Sequence, residues 1–211
     1  NESTKFDAVA ESAKRATEAG QAVLIGTRSG ETSVTLGQHL AKLGLTFETL
    51  NANNLESEGE IIAQAAQRPM ITVATNMAGR GTDIKLSEDV RRAGGLHVIL
   101  TEIHESQRID WQLIGRGSRQ GDPGSYQIFV SLSDEILRVG FGPERAKRIL
   151  ARYANVGDGE LQRLFPLFRR AQRRTERRHL TDRMAVLKND QERKRSSYQM
   201  GQDPYLSVVT G

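Results

Sequence analysis

Two stretches of the 211-residue chain combine residue types that could handle a phosphate ester. In the first, Ile71 to Asp83 (ITVATNMAGRGTD), a β-branched apolar run ends in a small loop with one arginine and one acid. Such a run reads as a short buried strand. Gly79 and Gly81 let the backbone approach a ligand closely or turn through positive φ. Arg80 offers a planar fork of donors to a phosphate. Asp83 can accept from a ribose hydroxyl, a metal-bound water or a neighbouring arginine. In an open α/β sheet, loops at the C-terminal ends of strands are where ligands bind. The second stretch, Gln112 to Asp122 (QLIGRGSRQGD), sets Arg116 and Arg119 three apart with no acid between them. On one helical turn both guanidinium groups would leave the same face, which suits a polyanion such as a triphosphate. Taken singly, each stretch also fits an ordinary origin: a Gly/Asp turn after a strand, or a helix with surface ion pairs.

Holding two such loops requires a sheet. Residues 3–20 read as a helix, with Phe6, Val9, Ala13 and Ala16 at helical spacing and Gly20 at its end. Ala22 to Thr27 is continuously apolar, as a strand covered on both faces would be. A helix over 32–43 and a strand over 45–50 follow. Ser57 with Glu60 forms a capping box for a helix that Pro69 stops. After strand 71–75 come a short helix over 87–92, a strand over 97–102, a helix over 106–116 and a strand over 126–132. This alternation predicts an α/β fold: a RecA-like parallel sheet flanked by helices. Beyond Ser133 the pattern turns helical over 134–139 and 143–153, with a joint at Gly157 to Gly159. Pro166 reads as the first residue of a helix running to about Ser197, about 45 Å long at 1.5 Å per residue. Its apolar stripe (Phe168, Ala171, Leu180, Met184, Leu187) is thin, so it needs a partner surface along its length.

The segments ATNMAGRGTDI (74–84) and QLIGRGSRQGDPGS (112–125) resemble motifs V and VI of superfamily-2 ATPases, and their wording is similar to that of the SecA family of protein-export ATPases. GQAVLIGTRSGETS (20–33) stands where motif IV of the family would be. LNANNLESEGEIIAQAAQ (50–67) resembles the next strand and helix, and GGLHVILTEIHESQRID (94–110) links motifs V and VI. AQRRTERRHLTDRMAVLKND (171–190) is similar to the start of the family's long helical scaffold. The resemblance spans about residues 5–200 in the family's order, which makes it far more specific than a lone GRGTD.

This resemblance implies a P-loop NTPase-like, second helicase-type domain over 1–140, a helical linker over 141–165, the start of the scaffold over 166–200 and a tail over 201–211. It implies that Gly81 and Asp83 line the nucleotide edge, that Arg80 faces the phosphates or bonds across the cleft, and that Gln112 contacts nucleotide or bridges to a neighbouring motif. Arg116 or Arg119 would be the arginine finger, worth about 10³–10⁵ in rate where such groups are well studied. Between the arginines the family usually has a small residue and then Gly; here the order is Gly117-Ser118, with the spacing kept. His104-Glu105-Ser106 is no catalytic triad, because no strained Gly-x-Ser-x-Gly elbow accompanies it. Glu105 and Arg108 are structural ion-pair candidates, and His97 reads as a satisfied core histidine.

The sequence holds neither G-x-x-x-x-G-K-[ST] nor Asp-Glu-x-Asp, the elements that cradle phosphates and hold Mg²⁺. The expected cofactor, ATP with Mg²⁺, would therefore take its main ligands from a first domain outside this chain. Alone, the chain is expected to bind ATP weakly and hydrolyse none. Its start at Asn1 fits the expectation of a piece of a longer protein. Expected partners are that first ATPase domain, the export channel and preprotein substrates, with anionic lipid and a second copy as further candidates and nucleic acid disfavoured. The expected location is the cytoplasm, peripheral at the inner face of the plasma membrane. Two alternatives fit the same motifs: half of a nucleic-acid helicase, or a non-catalytic interaction module derived from the export ATPase.

Composition bounds these expectations. With 37% hydrophobic and 27% charged residues, the chain is of globular type. No apolar run approaches the ~20 residues of a membrane span, and Lys5, Asp7 and Glu11 break any signal-peptide pattern at the start. The lack of Cys excludes disulfides and thiolate metal sites. The net charge of +4 is uneven: residues 161–195 carry twelve basic and four acidic side chains, leaving the rest slightly acidic. Such a segment binds polyanions or acidic protein faces, or is a solvated helix face.

Overall fold

The computed structural model of the chain describes residues 2–50, 66, 68–75, 84–117, 121–154 and 157–199. Five parallel strands form one sheet: β1 (Ala22–Thr27), β2 (Phe47–Leu50), β3 (Ile71–Thr75), β4 (Leu96–Leu100) and β5 (Gly124–Ile128), in the order β2-β3-β1-β4-β5. All six residues of the central strand β1 are buried, because helices cover both faces of the sheet. Alternation along β1 sorts the core. Val23 and Ile25 face α1 (Glu2–Glu18) and α2 (Gly30–Lys42), where Phe6, Val9, Leu36 and Leu40 meet them. Ala22 and Leu24 face the other side, with Val90 of α3 (Glu88–Arg92) and Leu113 and Ile114 of α4 (Gln107–Ile114). Ser29 and Ser87 cap α2 and α3 by accepting from the amides of Thr32 and Val90.

The expected strands are all present: β1 and β3 have their expected bounds, and the other three have shifted ends. β5 begins at Gly124 rather than Tyr126 and stops at Ile128. It extends only as far as β4 offers partners: Leu96 opposes Gly124, Leu100 opposes Ile128, and the amide of Phe129 makes the last bond to the Leu100 carbonyl. Val130 and Leu132 then turn into a third apolar cluster under the C-terminal helices. The helix expected from the capping box at Ser57 lies outside the described residues.

Three further helices follow among the described residues: α5 (Glu135–Phe141), α6 (Pro143–Arg152) and α7 (Asp158–Gln199). Between α5 and α6, Gly142 takes φ +87°, a conformation that favours glycine, and Pro143 opens the next helix. The long helix begins eight residues before Pro166, so the expected helix start there is corrected. Pro166 removes one backbone donor within the helix. Packing of Leu164, Phe165, Leu167 and Phe168 against the third cluster holds the segment helical through that point. Gly140 of α5 lies against Ala171 of α7 so closely that an added Cβ would be 2.6 Å from the Ala171 carbonyl oxygen. Further along, Leu180, Met184 and Leu187 are each more than half exposed, so the outer half of the stripe has no cover among the described residues.

A buried ion pair ties the first helix to the last layer. Lys5 donates to Asp134 at 2.7 Å, and Asp134 also accepts from the Ser131 amide at 2.9 Å. Burial pushes the Asp134 carboxyl up to about 6, against the pull of Lys5. An acid whose pKa is raised on folding adds stability while protonated and loses that contribution as pH rises from about 4 through about 6. The difference in unfolding free energy between the native chain and Asp134→Asn is therefore expected to fall by about 2 kcal/mol between pH 4 and pH 7. Urea titrations across that range measure it; a flat difference would show that Asp134 titrates as it does in water.

Candidate functional site

The loop after β4 and helix α4 carry most of the described candidates. Thr101, just past β4, donates from its hydroxyl to the Gly26 carbonyl at 3.0 Å, which fixes the loop against β1. Gly26 also makes room for α4: a Cβ there would lie 2.1 Å from a Leu113 methyl. Ser106 precedes α4 but makes no side-chain cap. Instead the Gln107 amide donates to Glu176 of α7 at 2.7 Å, so a carboxylate from another helix caps α4.

One turn further, Asp110 is fully buried and accepts four hydrogen bonds. His104 donates from its backbone amide at 3.1 Å, and its Nδ1 lies 2.8 Å from the same carboxylate oxygen. Arg169 and Gln172, both on α7, donate to the other oxygen at 2.8 and 2.9 Å. Gln172 donates as well to the His104 carbonyl at 2.9 Å and accepts from Arg169 at 2.8 Å. Burial works to raise the Asp110 pKa, but hydrogen bonds from His104 and Gln172 outweigh it and hold the carboxyl below its usual range. Asp110 thus joins His104 to α7, with no nucleophile among these partners. Glu105 pairs with Arg28 at 2.9 Å and stands 3.6 Å from His179 of α7. Arg108 is exposed and forms no ion pair with a described residue. His97 is buried beside the Ser125 hydroxyl at 2.7 Å, and burial lowers its pKa.

At its far end α4 stops at Ile114, and Gly115 closes it. Arg116 therefore lies in the turn after the helix, half-buried, and not on the helical face expected for it. Gly117 and Gly124 press this turn onto the sheet: an added Cβ on Gly124 would meet the Gly117 carbonyl oxygen at 1.8 Å, and one on Gly117 would be 3.2 Å from the Leu96 carbonyl oxygen. Asp122, later in the same stretch, pairs with Arg91 of α3 at 2.9 Å. Gln112 is exposed on α4, next to Trp111, whose ring meets Tyr126 edge-on at 6.3 Å. Arg116 is thus near the N-terminal ends of β4 and β5. Arg80, Gly81, Asp83 and Arg119 lie outside the described residues. Ile84, the first described residue after the Gly-Arg-Gly loop, packs in the same core cluster as Leu113 and Ile114.

The chain matches the SecA P-loop domain over residues 1–92 and 87–158. It belongs to the SecA family. Its SecA relatives include protein translocase subunit SecA 2 of Rhodopirellula baltica, 50% identical over 97% of this chain and 31% of that protein. Protein translocase subunit SecA of Campylobacter concisus is 46% identical over 88% of this chain and 22% of its own length. The chain spans less than a third of either relative. Among solved structures, the E. coli DEAD-box protein SrmB superposes with TM-score 0.53 at 20% identity, covering 69% of this chain and 80% of that one. Domain 2 of the DEAD-box helicase Mss116p gives 0.51 at 17%, covering 66% and 54%. These likenesses bear out the RecA-like fold, and α7 is the expected long C-terminal helix. The residues that sequence reasoning passed over are Asp110, Arg169, Gln172 and Glu176, which join the SecA-type domain to α7.

Proposed function

We propose that this chain is the second ATPase domain of a protein-export motor, closing on ATP held by a first domain and passing that motion to α7. The observation that carries the reading is the double attachment of α4 to α7: the amide of Gln107 on Glu176, and Asp110 on Arg169 and Gln172. The element that leads to Arg116 cannot shift without loading the long helix. Family membership supports the export reading over a helicase half, since the helicase likenesses speak to the fold alone.

The described donors suit a phosphate: Gln112 has an exposed amide, and Arg116 stands half-buried at the end of α4 with a guanidinium fork. ATP supplies the transferable γ-phosphoryl group, with Mg²⁺ held chiefly by the first domain. Arg116 and Arg119 would contact it on closure and favour the closed state, Arg80, Gly81 and Asp83 would border the nucleotide, and loss of the phosphate would release them. The exposed Trp111 and Tyr126 offer apolar area on the α4 side for the first domain to cover. The division at 140, 165 and 200 belongs to the same proposal, with α7 running unbroken across 165. The export channel and preproteins are the proposed partners, and the inner face of the plasma membrane the proposed location. Among the described residues no helix is long and apolar enough to cross a membrane.

The test is ATP turnover by this chain joined to its first ATPase domain, with two additions. One is vesicles bearing the export channel plus a signal-bearing preprotein; the other is single-stranded RNA. Stimulation by the first alone is expected. Stimulation by RNA alone would replace the proposal with the helicase reading, and the chain without its first domain is expected to show no turnover.

A further inference from the structure

Helix α6 has no fully buried residue, and with α7 it walls a groove of about 540 Å³. Ile149 of α6 and Leu164 and Leu167 of α7, all half-buried, form its apolar floor. Arg145, Arg148 and Arg152 follow one another along the α6 side, and Arg163 stands on the α7 side. All four are exposed, and none forms an ion pair with a described residue. The guanidinium groups of Arg145 and Arg152 lie over the rings of Phe141 and Tyr153, with Cζ 4.9 and 5.5 Å from the ring centroids. These four arginines, without a carboxylate partner among the described residues, gather round an apolar floor.

We infer that this groove docks an acidic amphipathic helix of a partner protein, with apolar residues on Ile149, Leu164 and Leu167 and carboxylates on the four arginines. The dimensions fit: α6 is ten residues long, so the groove takes about 15 Å, or three turns, of a second helix. Arginine binds carboxylates through two parallel bonds, which fixes register as well as charge. Nucleic acid would leave the leucine floor uncovered, and the neighbouring rings of Phe141 and Tyr153 are already covered by Arg145 and Arg152. A membrane would meet the four exposed arginines before the half-buried Ile149, Leu164 and Leu167 between the two helices. The same groove on a second copy carries the same four arginines, so groove cannot pair with groove. This inference is independent of the proposed export function.

The probe is a fluorescein-labelled 14-residue peptide with leucines at helical spacing i, i+3, i+7 and glutamates on both flanks. Its anisotropy is titrated with the 211-residue chain, beside a scrambled peptide of the same composition, phosphatidylglycerol-containing vesicles and a 14-nucleotide RNA. The ordered peptide is expected to bind at least about tenfold more tightly than the scrambled one. The triple change Arg145→Gln, Arg148→Gln, Arg152→Gln, all at exposed positions, is expected to weaken it by about tenfold or more while circular dichroism and the urea midpoint stay unchanged. Equal binding of the two peptides would reduce the groove to a general anion patch and overturn the inference. So would tighter arginine-dependent binding of vesicles or RNA, insensitivity to the triple change, or no peptide binding at all.

Discussion

Changing Arg116 or Arg119 to Ala, in the chain joined to its first ATPase domain, is expected to lower ATP turnover by about 10³-fold or more while nucleotide affinity changes by less than about tenfold. The ground-state phosphates keep the cradle of the first domain; what is lost is a donor aimed at charge that develops only during transfer. The two arginines need not contribute alike. Arg116 is anchored: it follows the end of α4, between Gly115 and Gly117, on a turn pressed against Leu96 and Gly124. A guanidinium so placed is preorganised, and preorganised donors stabilise a transition state without rearranging during the reaction. Arg116→Lys separates charge from geometry, since lysine keeps the charge and loses the planar fork. If the fork matters, lysine recovers at most a small part of the rate. Loss of ATP binding with turnover per bound nucleotide unchanged would assign both residues to ground-state binding and remove the arginine-finger role. Unchanged turnover in both alanine variants would sink the proposed closure altogether.

What the sequence made legible followed from local rules, and what it hid depended on distant partners. β1 read correctly because both of its faces are covered, which leaves a continuous apolar run with Ala22 and Leu24 on one side and Val23 and Ile25 on the other. The break between α5 and α6 was legible for a similar reason, since Gly142 and Pro143 are needed by the backbone at that joint. Pro166 misled because its local effect opposes a helix, while the cluster beneath α7 that overrides it comes from residues more than twenty positions earlier, such as Ile136 and Leu137. Arg116 was misplaced by two residues, enough to move it from a helical face to a turn. Asp110 was the hardest to see. It stands three and four residues before Leu113 and Ile114, on the buried stripe of α4, where an acid looks out of place. Its partners on α7 are 59 and 62 residues away, and Arg169 and Gln172 look like part of a solvated basic run until α7 is laid beside α4.

Asp110→Ala should be the most damaging single change in the described core, with an expected loss of about 3–5 kcal/mol in unfolding free energy. The carboxylate has no exposed surface and satisfies four donors at once: the amide and ring of His104, Arg169 and Gln172. Alanine leaves a guanidinium and an amide turned into a dry pocket, and the penalty for uncompensated buried groups exceeds the net worth of the bonds that held them. Asp110→Asn keeps the shape and one acceptor, so it should cost less, and it removes the pH dependence. That dependence has a defined sign. A carboxyl held below its usual pKa contributes stability above the unfolded value near 3.8, which is lost as pH falls through the lower folded value. The native chain should therefore lose stability below about pH 4 relative to Asp110→Asn, opposite in sense to the Asp134 effect at higher pH. A double-mutant cycle of Asp110→Asn with Arg169→Met measures the coupling across the α4–α7 contact without assigning the whole effect to either residue. Coupling of more than about 1 kcal/mol, with faster hydrogen exchange at the Gln107 amide that Glu176 caps, would establish that α7 grips α4 through this carboxylate. Additive losses, with exchange at Gln107 unaltered, would mean that Asp110 merely fills its pocket, and the route from Arg116 to the long helix would have to run through other contacts.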